Sequence, residues 1–216
     1  MSTQSIQSVV TERQRTLQRE LDNWNRYLHL NPHLPHIYIR RGMAKFKIAH
    51  IDASIYDFDC AEHLDPTLTP FLWQRGIAYY YSQQIEAAAN QFEVGLTING
   101  SDLEQSIWHY LCRVQTHNVA YARKHLFPLE GERAPTLTAI HNMCSGHITP
   151  EQVLAIGKRG GDRGHFYSHF YIGLYCAAHG HDDLAQQYIT QAITAYPIED
   201  YMWYVAMVNQ SLCPTR

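Results

Sequence analysis

Several chemistries are excluded by what this sequence does not contain. Its five cysteines (Cys60, Cys112, Cys144, Cys176 and Cys213) stand far apart, and no two form a C-x-x-C pair. Such scattered thiols fit a reducing compartment, so all five are expected to be free. Residues 1–7 lack the basic segment and apolar stretch of a secretory leader, and the expected location is cytoplasmic. No apolar run approaches the length of a membrane-spanning helix, so no membrane partner is expected. Lys and Arg total 17 against 20 Asp and Glu, and they are not gathered into runs, so nothing calls for a nucleic-acid partner. G-x-S-x-G, a phosphate-binding glycine loop and H-E-x-x-H are all missing, which leaves no catalytic or cofactor signature. No cofactor is expected. Nor is there an alternating apolar–polar run of the kind a sheet requires.

What the sequence does contain is 45% hydrophobic residues, with fifteen Tyr and fourteen His, and an internal period. Residues 35–68 laid over 69–102 pair Gly42 with Gly76, Ile51 with Ile85, Asp52 with Glu86 and Ala53 with Ala87. The same offset pairs Ser54 with Ala88, Phe58 with Phe92, Ala61 with Gly95 and Pro66 with Gly100. The period of 34 predicts helix–turn–helix units. Small residues at Gly42, Gly76, Ser54 and Ala88 let the helices of a pair approach. Phe58 and Phe92 are expected to fill space toward the next unit, with Pro66 or Gly100 ending the second helix.

One period earlier, Trp24, Tyr27 and Pro32 fall under Phe58, Ala61 and Pro66. Residues 1–34 therefore read as a divergent first unit with helices near 3–15 and 17–30. Residues 166–199 match again through Gly173, Gly180, Ala185, Ala192 and Pro197, and 199–212 reads as a capping helix. Between them, 103–165 is a degenerate helical segment. Helices are expected over 102–116 (Asp102 as N-cap, Glu104 in the first turn), 118–127, 136–145 and 150–158, the last capped by Thr149 with Pro150 following. Residues 129–135 read as a loop and 158–164 as a flexible glycine joint. The fold class is all-α: one helical solenoid domain of four to five helix pairs over 1–216.

These features resemble the tetratricopeptide-repeat family. Pro70–Gly76, the run Glu104-Gln105-Ser106-Ile107-Trp108, the shortened middle, Phe166-Tyr167-x-x-Phe170-Tyr171-x-Gly173 and Asp200–Trp203 are similar to NlpI-type repeat adaptors. They are also similar to related uncharacterised repeat proteins of photosynthetic organisms. The resemblance implies a scaffold that docks a protein partner, and it leaves room for a homodimer. NlpI-type proteins are lipid-anchored in the periplasm, whereas no lipobox cysteine stands near the start of this chain.

In repeats of this geometry the first helices line a concave groove. The expected lining is His36, Arg40, Met43 and Lys47 from one unit, and Trp73, Gln74, Ile77, Tyr80 and Tyr81 from the next. Trp108 and Leu111 follow, then Tyr167, Phe170 and Tyr171. Aromatic and Arg side chains suit a protein or peptide segment. The alternative occupant is a small molecule, and if chemistry occurs the acid–base candidates are Tyr80, Tyr81, His36 and Arg40. An open trough favours a peptide, while a closed pocket plugged by 129–164 favours a small ligand. A tightly curled array could instead close these side chains into its own core. His165 and His169, four apart on a helix, are the one metal candidate; lacking a third ligand, they are read as structural.

Overall fold

A computed structural model describes residues 3–128 and 134–212, with side chains from residue 12 onward. The expected loop at 129–135 falls mostly outside the described residues, as does Cys213. The chain is all-α, with sequential helices packed on their neighbours as in a helical solenoid. It divides into two compact units, Met1–Thr69 and Pro70–Arg216.

The first unit holds α1 (Thr3–Leu30), α2 (Pro35–Lys47) and α3 (Ile51–Leu64). Two helices were expected before residue 31, and α1 is one unbroken helix of 28 residues. The physical reason is plain: no Gly or Pro lies between Thr3 and Leu30, so nothing interrupts the hydrogen-bond ladder. Leu17, Leu21 and Leu28 form its buried stripe. Asp57, fully buried, takes a bidentate bond from Arg41 (2.8 and 2.7 Å) and an ion pair from Lys45 (2.8 Å), tying α3 to α2.

The second unit runs α4 (Trp73–Tyr81), α5 (Ile85–Ile98), α6 (Leu103–Thr116), α7 (Val119–Lys124), α8 (Pro135–Ser145), α9 (Pro150–Gly157), α10 (Gly161–Ala178), α11 (Asp182–Ala195) and α12 (Tyr201–Leu212). Asp102 caps α6 by accepting from the Gln105 amide, and Thr149 and Gln152 form a capping box on α9. α10 is buried nearly all round by α6, α8, α9 and α11, which is why Phe166, Tyr167, Phe170, Tyr171, Ile172 and Leu174 show no polar face. The expected glycine joint at 158–164 is instead a tight crossing. Gly157 and Gly164 bring the backbones of α9 and α10 into contact, and Ser168 Oγ donates to the Gly164 carbonyl at 2.8 Å.

Three helix pairs share one lock. A Cβ at Gly42 would lie 3.0 Å from the Phe58 ring, one at Gly76 2.7 Å from the Phe92 ring, and one at Gly173 2.5 Å from Ile189. Each large residue sits sixteen positions after its glycine. The rings thus cover the glycine of their own pair, where they were expected to reach toward the next unit; Phe92 does both, since it also stacks on Trp108 at 6.2 Å. The turns share a second device. Ala49 (φ 60°), Gln83 (φ 63°) and Gly180 (φ 78°) occupy the same repeat position in the left-handed region. In each, the amide of the next residue bonds back to a helix carbonyl (His50 to Lys45, Gln84 to Tyr79, His181 to Cys176) at 2.9–3.0 Å.

Two outcomes follow. Gly76→Leu should destabilise the protein by about 1–3 kcal/mol or more through overpacking against Phe92, read from chemical denaturation. Gln83→Gly should stabilise by roughly 0.5–1 kcal/mol, because it removes the left-handed penalty at a cost in chain entropy. A Gln83→Gly protein less stable than the parent would show that this turn carries no strain.

Candidate functional site

The expected groove residues divide sharply by exposure. In the first unit His36 and Arg40 are exposed, Met43 is half-buried, and Lys47 pairs with Glu20 at 2.8 Å. In the second unit Ile77, Tyr80, Trp108, Leu111, Tyr167, Phe170 and Tyr171 are interior, while Trp73, Gln74 and Tyr81 are half-buried. Tyr80, Tyr81, Phe92 and Tyr171 all contact Trp108 ring to ring at 5.2–6.3 Å. The Tyr80 hydroxyl accepts from Gln115 at 2.7 Å and that of Tyr81 from Asn209 at 3.2 Å.

The Asn209 contact identifies what fills this interior. Tyr201 meets Trp73 edge-on at 5.6 Å, and eight residues further along both helices Asn209 meets Tyr81. α12 therefore runs parallel to α4 while its other side rests on α11, where Gln210 Nε2 donates to Thr190 Oγ1 at 3.1 Å. Met202, Val205, Ala206, Val208 and Asn209 are buried in consequence. The final helix of the unit thus meets its first, through Tyr201 on Trp73 and Asn209 on Tyr81.

A pocket of about 180 Å³ remains where this closure is incomplete, lined by Trp73, Phe92, Asp102, Glu104, Gln105, Trp108 and Met202. α4, α5, α6 and α12 each contribute a wall. Asp102 is held by capping: its carboxylate accepts from the Gln105 amide and from Gln105 Nε2, both at 3.0 Å. Gln105 Oε1, on a residue only 7% exposed, has no hydrogen-bond partner among the described residues. Gly95 leaves room for this oxygen, since a Cβ there would collide with it.

Glu104 is the chemically distinctive member. Its Oε1 accepts from the Tyr171 hydroxyl at 2.8 Å. Burial pushes its carboxyl up to about 7; the Tyr171 bond and Arg163 oppose this, and the Asp102 and Asp200 charges reinforce it. Beside it, Asp200 accepts from Arg163 at 2.6 Å and from the Tyr167 hydroxyl at 3.2 Å. Burial and the Glu104 and Asp200 carboxylates hold the Tyr167 phenol far above its ordinary value. The group that exchanges a proton near neutrality is thus a carboxyl between aromatic rings.

Sequence reasoning identified Trp73 and Trp108 in this lining and missed Phe92, Asp102, Glu104, Gln105 and Met202 as site residues. The available signal was the four-residue step from Glu104 to Trp108, which puts both on one face of α6. His165 stacks on Tyr196 at 4.4 Å and His169 Nδ1 lies 2.7 Å from the His165 carbonyl. Among the described residues no group of three His, Cys, Asp or Glu side chains is placed to hold a metal ion. Cys60, Cys112, Cys144 and Cys176 are free thiols. No helix among the described residues is long and apolar enough to cross a membrane. No family model matches the chain, and no curated protein sequence matches it.

Glu104 also sets a pH dependence. Its folded value of about 7 lies above the ordinary 4.5, so between these values the folded protein retains a proton that the unfolded chain releases. Stability contributed by this group is therefore lost as pH rises through that window. Glu104→Gln should raise stability by on the order of 1–3 kcal/mol near pH 8 and leave it unchanged near pH 4. Denaturant titrations at the two pH values give the comparison, and an equal shift at both would remove Glu104 from the account.

Proposed function

We propose that the protein is a binding protein of the tetratricopeptide type, whose Pro70–Arg216 unit takes a small ligand, or one protruding side chain of a partner, into the Glu104 pocket. The observation that carries this reading is the pocket itself, a recess of about 180 Å³ with three aromatic walls and two carboxylates. Its size suits a compact group, and mixed apolar walls with a few placed polar atoms are the usual make-up of ligand sites. The tetratricopeptide assignment is supported by the recurring glycine lock and left-handed turn at the 34-residue spacing. Buried free thiols are compatible with a reducing, cytoplasmic setting.

A second reading, a scaffold that accepts a helix from a protein partner, draws on one observation. α12 already lies along α4 as a guest helix would, in contact at both Tyr201 and Asn209. On that reading α12 must leave before the partner enters.

The indole N–H signals of the four tryptophans separate these ideas. In a small-fragment screen, ligands of the pocket should shift Trp73 and Trp108, which line it, and spare Trp24 and Trp203, which do not. Met202→Trp, which fills the recess, should weaken those ligands by about tenfold or more with the fold intact. Shifts confined to Trp24 or Trp203 would place the binding elsewhere.

A further inference from the structure

We propose that the ligand of this pocket is an organic ammonium ion, held by the Glu104 carboxylate beside the half-buried Trp73 indole. The inference rests on the pocket reading above and specifies its chemistry. Two carboxylates and no basic side chain line the recess, so an anionic group would enter against like charge. Trp73, the one lining ring that is only half-buried, attracts a cation through its ring quadrupole, with Trp108 and Phe92 as apolar backing behind it. A small hydrated metal ion needs an oxygen shell that indole and phenyl rings cannot supply. An alkylated or primary ammonium offers both the positive charge and the apolar skin that these walls match.

The charges around Glu104 favour the same occupant. From its own helix it faces Asp102, which already caps α6. From α10 it faces Tyr167, Tyr171 and Arg163, and from the start of α12 Asp200. Arg163 is committed to Asp200 at 2.6 Å, and Tyr171 provides a hydrogen bond but no charge. Among the described residues no cation bonds the Glu104 carboxylate directly, and an entering ammonium supplies that contact. Because Glu104 holds its proton up to near-neutral pH, binding transfers that proton to solvent as the cation takes its place.

The test titrates the full chain with four probes: n-butylammonium, tetramethylammonium, 1-butanol as the neutral counterpart of n-butylammonium, and butyrate. Trp73 and Trp108 indole N–H shifts are the readout. Both cations should bind about tenfold or more tightly than the alcohol, and butyrate should produce no shift. Cation affinity should weaken as pH falls through about 7, and calorimetry in buffers of different ionisation heat should register one proton released near pH 6. Glu104→Gln should lower cation affinity near pH 8 by about tenfold or more while leaving the alcohol unchanged. The pH profile of the parent protein gives the same information if that variant fails to fold.

Equal binding of alcohol and cations, tighter binding of butyrate, or a flat pH profile would overturn the ammonium inference yet leave the pocket reading in place. Silence of both indoles toward all four probes would also overturn it, and the fragment screen then decides the pocket reading separately. A short lysine peptide and its norleucine counterpart identify the source of the ammonium. A lysine peptide binding more tightly than n-butylammonium points to a protein side chain, and the reverse order to a free amine.

Discussion

Gly76 lies beneath the ring of Phe92 with no room for even a methyl group, and the position of α5 against α4 follows from that contact. Gly42 with Phe58, and Gly173 with Ile189, repeat the arrangement. Interiors are packed near crystal density, so a bare backbone on one helix and a bulky side chain on the other fix the spacing of the pair. Polar links one position earlier reinforce it: Arg41 bonds Asp57 in one pair, and Arg75 bonds Gln91 at 2.8 Å in the next. The second link keeps the buried guanidinium and exchanges its carboxylate partner for a neutral acceptor. Phe92 then passes the constraint onward, because the ring that covers Gly76 also stacks on Trp108 of α6.

That contact explains which parts of the fold were legible in the residues alone. Close approach of two helices demands glycine, so Gly42 and Gly76 stand out at a fixed period beside Phe58 and Phe92. The left-handed turns were less visible, since Ala49 and Gln83 carry no conformational signature and only Gly180 does. The same emphasis on glycine misreads residues 158–164, where glycines serve backbone contact between α9 and α10 and not flexibility. α1 shows the opposite case: a turn inside the first unit was expected where no residue breaks the helix.

The pocket was half legible. Trp73 and Trp108 emerge from the groove positions of the repeat, but Glu104 resembles any acidic residue in a helix's first turn, where the macrodipole alone accounts for it. Its significance arises from α10, whose Tyr171 lies far off in sequence, and from α12, which narrows the space. Curling of the unit is a sum of small rotations, and no local pattern reveals that sum. A carboxyl placed among indole rings by that closure differs from one on an open face. It ionises reluctantly, and its charge is poorly screened once formed.

Closure of α12 onto α4 also changes how the second unit comes apart. In an open array each repeat touches only its neighbours, so terminal helices fray singly and folding can start anywhere. Here Asn209 bonds Tyr81 across 128 residues of chain. Loop closure over such a distance is slow, and it rewards the chain only when both ends are already formed. Opening of the α4–α12 seam would uncover Trp73 and Met202 together, since both line the same recess. On the binding reading proposed above, an occupant of the pocket would touch both helices of that seam and so oppose its opening.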